Sequence, residues 1–306
     1  MPKIHVSKKI TINAPIDKVF NTINNFNTWS DWSPWLIMEP GVKVDVSEDT
    51  KSYSWEGNRT GSGNMKIAKE EENKSIAIDL MFLKPYKSKA KVDFYFKGNE
   101  SSTDVEWTMD SSLPFFMFWM KNSMIEFIGM DYDRGLRLLK DYVEDGKTHS
   151  KLNFLGNSEY PGCKYIGINT DCTKETMSKK MAADMPKLME VLAGKEDIIV
   201  GEPFTQYHKW EMVKNQINYT VGVPVKEVPA DLPSNIQVGE LPKTQVHTVE
   251  HVGPYHHLGN AWSTLYTMQR NKEFKSSKVH PFETYKNNPM EVDEKELVTQ
   301  IHFPLK

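Results

Sequence analysis

The residue with the most chemistry to offer is Glu283, in the stretch HPFETYKN (His280–Asn287). Two-residue alternation puts Glu283 and Tyr285 on one face of a short strand and Phe282 and Thr284 on the other. A carboxylate on a core strand costs several kcal/mol unless it is paired, hydrogen-bonded or protonated. Pattern alone leaves two readings open: a solvent-facing edge residue, or a device that handles a cation or a proton.

Other reactive side chains lack the spacing that chemistry needs. His251, His256 and His257 lie close together, but no HExxH or similar metal spacing exists. They read as partly exposed histidines near a helix start, and no metal site is expected. Cys163 and Cys172 flank a predicted strand without a histidine neighbour to activate a thiolate. GNRTGSGN (Gly57–Asn64) lacks the Gly-Lys-Ser/Thr ending of a phosphate loop and reads as a hairpin turn. No Gly-x-Ser-x-Gly elbow is present, and spacing identifies no catalytic triad.

The elements that must position these residues fall into two sets. Alternation from Ile4 to Ile12 predicts a strand, and Pro15 starts a helix through Ile23. Trp29, Trp32 and Trp35 then recur every third residue, which places them on one face of a short helix or turn. Alternating segments from Val42 to Leu113, punctuated by turn clusters, read as an antiparallel meander. Helical periodicity from Phe115 to Val143 puts Met117, Met120, Met124, Phe127, Ile128, Leu136, Leu139 and Val143 on one stripe. Six of the eight tryptophans precede residue 120, which suggests a large core or a lined cavity.

The second set repeats itself. Strand Lys164–Asn169, helix Lys174–Leu192 and strands Ile198–Tyr207 and Ile217–Val225 make one unit. Strand Thr244–Val252, helix Tyr255–Asn271 and strands Phe282–Lys286 and Leu297–Pro304 make the other. The last strands match best, INYTVGVPV against LVTQIHFPL. Two such units could pair about a pseudo-twofold, with a shared cleft as the natural ligand site. The predicted division is a first domain over 1–146, a polar linker over 147–159 and a second domain over 160–306.

The chain has 306 residues, 38 basic and 41 acidic, for a net charge of −3. That balance argues against a basic nucleic-acid binder. The longest apolar run, Phe115–Met120, is far short of a membrane span. Two cysteines exclude a disulfide-rich scaffold. The first fifteen residues lack the apolar centre of a signal peptide, so a cytoplasmic location is the expectation.

Residues 3–145 resemble the START-like polyketide cyclase/dehydratase (SRPBCC) superfamily through an ordered series: ITINAPIDKVF, WSDWSPW, YSWEGNRTGSGNMKI, LKPYKSKAKVDFYF, TDVEWTMDSSLPFF and GMDYDRGLRLLKDYVE. Residues 160–306 resemble the gyrase-inhibitor-like domain, also the effector-binding half of AraC-type regulators. VGVPV, VEHVGPYHHLGNAWSTLY, FETYKNNP and ELVTQIHFPL carry that likeness. The resemblance implies an α+β chain: a helix-grip antiparallel sheet around a long C-terminal helix, then a duplicated β-α-β-β effector-binding domain.

It also implies a function. The START-like fold binds apolar ligands between sheet and helix, with no universal catalytic residue to carry over. The pocket glutamate of the second family falls at Glu283, where it receives cationic aromatic compounds. Candidate walls are Tyr207, Trp210, Tyr255, Trp262, Tyr285 and Phe303, with cation–π contacts of about 0.5–2 kcal/mol each. Some relatives hydrolyse strained electrophiles with the same glutamate as acid/base, so Glu283 is also the catalytic candidate if the protein is an enzyme. The expected partner is a small hydrophobic or cationic molecule. No cofactor or membrane partner is expected, and no direct nucleic-acid contact, since no helix-turn-helix or basic patch is visible.

Overall fold

A computed structural model describes residues 2–306, and the chain divides after Ser150 into two compact units. The first unit begins with β1 (Lys3–Ile12), α1 (Ile16–Ile23) and the single turn α2 (Trp29–Trp32). Six strands follow: β2 (Lys43–Val46), β3 (Ser52–Glu56), β4 (Ser62–Glu71), β5 (Ser75–Lys84), β6 (Ser88–Gly98) and β7 (Thr103–Ser112). Helix α3 (Lys121–Asp145) closes the unit. The antiparallel sheet runs β1-β7-β6-β5-β4-β3-β2, a meander with β1 paired back onto β7. Ile4, Val6 and Ile12 point inward from β1 as the alternation predicts.

Aromatic side chains fill much of the space between this sheet and α3. Trp29, Trp32 and Trp35 converge on Trp107 of β7, with ring centroids 6.3, 6.0 and 5.9 Å away. Trp107 stacks on Phe94 at 4.9 Å and on Tyr132 of α3 at 3.9 Å. A Cβ at Gly135 would sit 2.7 Å from the Trp107 ring, so glycine lets the helix lie this close. The three-residue spacing therefore serves core packing here. The helical stripe is shorter than periodicity suggests. Phe115–Met120 is a 3₁₀ turn with no buried residue, and Phe127 is exposed, whereas Leu136, Leu139 and Val143 are buried.

The glycine-rich stretch forms the β3–β4 turn. The backbone N–H groups of Asn58, Arg59 and Thr60 all donate to the carboxylate of Glu39, at 2.6, 3.0 and 2.9 Å. An arrangement that could cradle a phosphate is occupied by the chain's own anion.

The second unit contains β8 (Lys151–Tyr160), β9 (Cys163–Cys172), α4 (Lys174–Val191), β10 (Phe204–Glu211), β11 (Gln216–Pro224) and β12 (Gln237–Leu241). Then come β13 (Thr244–Val252), α5 (Gly259–Arg270), β14 (Phe282–Tyr285) and β15 (Val298–Pro304). The sheet order β12-β9-β11-β10-β14-β15-β13-β8 is palindromic in the repeat. Strands β9, β11 and β10 mirror β13, β15 and β14 about the β10–β14 pair, and β12 and β8 occupy the two edges.

The polar stretch expected as a linker over 147–159 is corrected by β8, which pairs with β13 along nine register partners. Its exposed edge explains the polar composition, while Leu152 and Phe154 reach the core formed by Val249, Leu265 and Ile301. Gly156, at φ +76°, sits beside the register shift where β8 passes Thr248. The strand expected from Ile198 begins instead at Phe204, after Gly201 and Pro203 interrupt the ladder.

Candidate functional site

Strand β14 lies at the middle of the eight-stranded sheet, next to the pseudo-twofold. Glu283 stands opposite Thr205 of β10 and Ile301 of β15. Its side chain is only 1% exposed, so the edge-residue reading fails: β14 has neighbours on both sides.

Three neutral donors hold the carboxylate. Tyr285 Oη and Tyr207 Oη donate to Oε1 at 2.8 and 3.1 Å. Trp262 Nε1, from α5, donates to Oε2 at 2.9 Å. Thr205 Oγ1 lies 2.7 Å from Tyr285 Oη and completes the chain. None of these partners carries a charge. Burial raises the Glu283 pKa, and the hydrogen bonds from Trp262, Tyr285 and Tyr207 oppose that shift. Burial, together with the adjacent carboxylate, pushes the Tyr207 and Tyr285 hydroxyls well above their ordinary range, so both remain protonated donors.

Rings continue outward from this point. Tyr207 meets Trp262 edge-on at 5.0 Å and Trp210 at 5.6 Å. Tyr255 meets Tyr285 at 5.6 Å. Tyr207, Trp262 and Tyr285 are half-buried, while Tyr255, Trp210 and Tyr266 are exposed. The rings thus grade from solvent down to a buried anion. Phe303 is fully buried behind Trp262 and Tyr266, at 5.7 and 5.0 Å, and supports those rings from the core.

Sequence reasoning missed Thr205 and Tyr266. Both had a signal. The repeat places Thr205 and Tyr207 where the second unit has Glu283 and Tyr285, and Tyr266 is one helical turn beyond Trp262. The pseudo-symmetry is broken where it matters: a hydroxyl occupies one position and a carboxylate the other.

The histidines behave differently from one another. His256 is exposed, but His251 and His257 are buried, which corrects the expectation of partly exposed side chains. Burial lowers the His251 pKa to about 3. Cys163 and Cys172 are free thiols whose pKa values burial raises, which opposes thiolate chemistry.

Residues 161–306 match the model of the GyrI-like small molecule binding domain. Residues 3–144 match the model described as polyketide cyclase / dehydrase and lipid transport. Each model matches just under half of the chain, and together they cover both units.

Among solved structures, the chain is similar to the EcmrR C-terminal domain, at 22% identity over 51% of this chain and 98% of that one, with a TM-score of 0.43. EcmrR in its DNA complex matches at 20% identity over 60% of this chain and 68% of that one, TM-score 0.43. Protein MLL2253 from Mesorhizobium loti matches at 13% identity over 46% of this chain and 96% of that one, TM-score 0.36. No curated protein matches the chain. The described helices include none long and apolar enough to cross a membrane.

Proposed function

We propose that the GyrI-like domain binds a lipophilic aromatic cation, with Glu283 as its counter-ion. One observation carries this reading: the Glu283 carboxylate is buried among three neutral donors, with no cationic partner among the described residues, at the inner end of a series of rings. A buried anion without a counter-ion is poorly solvated, so a cation that displaces little water gains more there than at the surface. Tyr255, Trp210, Trp262 and Tyr266 offer faces for cation–π contacts on the way in. Phe303 acts through Trp262. The polyketide-cyclase-type domain is proposed to hold an apolar ligand against the half-buried side chains bordering its core, among them Trp55, Met65, Phe82, Met117, Met124 and Ile128. The working partner in both cases is a small molecule.

Calorimetric titration with tetraphenylphosphonium tests the first site. Wild type is expected to bind at least about tenfold more tightly than Glu283→Gln, given the contribution of a desolvated charge pair. Equal affinities would overturn the assignment.

The raised pKa of Glu283, beside two tyrosine hydroxyls, favours a second reading. A carboxyl that exchanges its proton nearer neutrality suits general acid/base hydrolysis of a small electrophile. Turnover of an epoxide or activated ester that disappears in Glu283→Gln would support it.

A further inference from the structure

The first unit carries a surface feature unrelated to Glu283. Between β7 and α3, the segment Phe115–Met120 turns in a 3₁₀ conformation. Met117 packs partly against the core. Its neighbours do not: Phe115 is 77% exposed, Phe116 75%, Trp119 70% and Phe118 61%. Rings of this size each offer about 150–250 Å². At their observed exposure the four together present roughly 400–700 Å², at or above the upper end of what a monomer ordinarily leaves to water.

The sheet register brings a second exposed segment to the same end. Ser111 pairs with Ala90, and Phe82 pairs with Ser88. The tip of the β5–β6 hairpin, with exposed Leu83 and Tyr86, therefore leaves the sheet where β7 runs into the aromatic turn. Lysines surround this end. Lys87 and Lys89 extend from the hairpin, Lys3 pairs with Ser112, and Lys121 follows the turn. None of these four makes an ion pair among the described residues. Nearby acidic side chains are already engaged: Glu56 pairs with Lys84 at 3.2 Å and Asp110 with His5 at 2.9 Å.

We propose that this end of the first unit is a docking surface for an anionic lipid bilayer. Phe115, Phe116, Phe118 and Trp119 enter the headgroup region, while Lys3, Lys87, Lys89 and Lys121 meet the lipid phosphates and carboxylates. Aromatic rings prefer that interface, and basic side chains near an anionic surface add to the attraction. A second copy of the chain is the poorer occupant, because pairing the patch with itself brings eight like charges together. The protein would lie on the membrane and not cross it. This departs from the expectation of no membrane partner, which rested on the lack of an apolar run long enough to span.

The test is co-sedimentation of the full chain with phosphatidylcholine vesicles carrying about 30% phosphatidylserine. Wild type is expected to sediment with them, and at least about tenfold less with pure phosphatidylcholine or at high salt. Phe116→Ser/Trp119→Ser changes only exposed side chains and is expected to lower partitioning at least about tenfold with an unchanged thermal midpoint. Lys87→Glu/Lys89→Glu is expected to remove the preference for phosphatidylserine. Failure of wild type to sediment, or equal sedimentation of wild type and Phe116→Ser/Trp119→Ser, would overturn the proposal. So would a concentration-dependent dimer, seen by analytical ultracentrifugation, that the same double variant abolishes. Each outcome is independent of ligand binding at Glu283.

Discussion

Trp262 Nε1 donates to Glu283 Oε2 at 2.9 Å, a bond from helix α5 to the central strand β14. Among the described residues it is the one hydrogen bond to that oxygen, because Tyr207 and Tyr285 both serve Oε1. Helix position and carboxylate charge are thereby linked. Trp262→Phe keeps most of the ring and removes the donor. It is expected to destabilise the fold by about 1–3 kcal/mol, the cost of an unsatisfied buried acceptor, measured by urea denaturation near neutral pH. It should also raise the Glu283 pKa further.

The two tyrosines share one acceptor and should not act independently. Tyr207→Phe and Tyr285→Phe are each expected to cost about 1 kcal/mol. The double variant should depart from their sum by at least about 0.5 kcal/mol. Thr205, bonded to Tyr285, makes Tyr285→Phe the more damaging single change. A double-mutant cycle by chemical denaturation checks both points.

Glu283 also sets a pH dependence. Its folded pKa lies above the ordinary 4.5 because burial dominates. The folded state therefore holds this proton more tightly than the unfolded chain does. The stability from this group is fully present below pH 4.5 and is lost as pH rises through the folded value. Glu283→Gln should lack that loss. Cation binding should strengthen over the same rise in pH and release a proton, detectable as a buffer-dependent heat in calorimetry.

Two buried histidines act in the opposite sense. Burial lowers the His302 pKa to about 4 and the His251 pKa to about 3. His302 lies between Thr248 and Thr284, bonded to their hydroxyls at 2.9 and 3.0 Å. Each histidine contributes stability above its ordinary pKa of 6.5 that is lost as pH falls through the folded value. For His302 the loss is on the order of 3 kcal/mol. Denaturation curves between pH 7 and pH 4 should show a smaller slope in His302→Gln than in wild type.

In the first unit, Gly135→Ala is the sharpest probe of packing. The new Cβ would meet the Trp107 ring at 2.7 Å and Pro34 Cγ at 3.1 Å. Overpacking against two buried groups is expected to cost about 1–3 kcal/mol, even though alanine favours a helix. A rise in the thermal midpoint would show that the helix can shift at no cost.

Local chemistry was readable without coordinates. Period-two alternation marked β1, the meander and the faces of β14, because side-chain direction in a strand depends only on the backbone. The repeat was visible because both copies bury the same faces. Strands β8 and β12 were not read, since an edge strand keeps polar residues on its open side and so resembles a loop. Phe127 was misplaced because periodicity reports a helix face and not where that helix leaves the core.

The type of Glu283, its face and its neighbour Tyr285 were determined by sequence alone. Its burial was not. That required β10 from the first repeat to pair with β14 from the second, bringing Tyr207 alongside, and α5 to lay Trp262 over both. A strand's own residues state which groups share a face. Only the order of strands in the sheet decides whether that face meets water or a ring of donors, because desolvation is a property of everything packed around a group and not of the group itself.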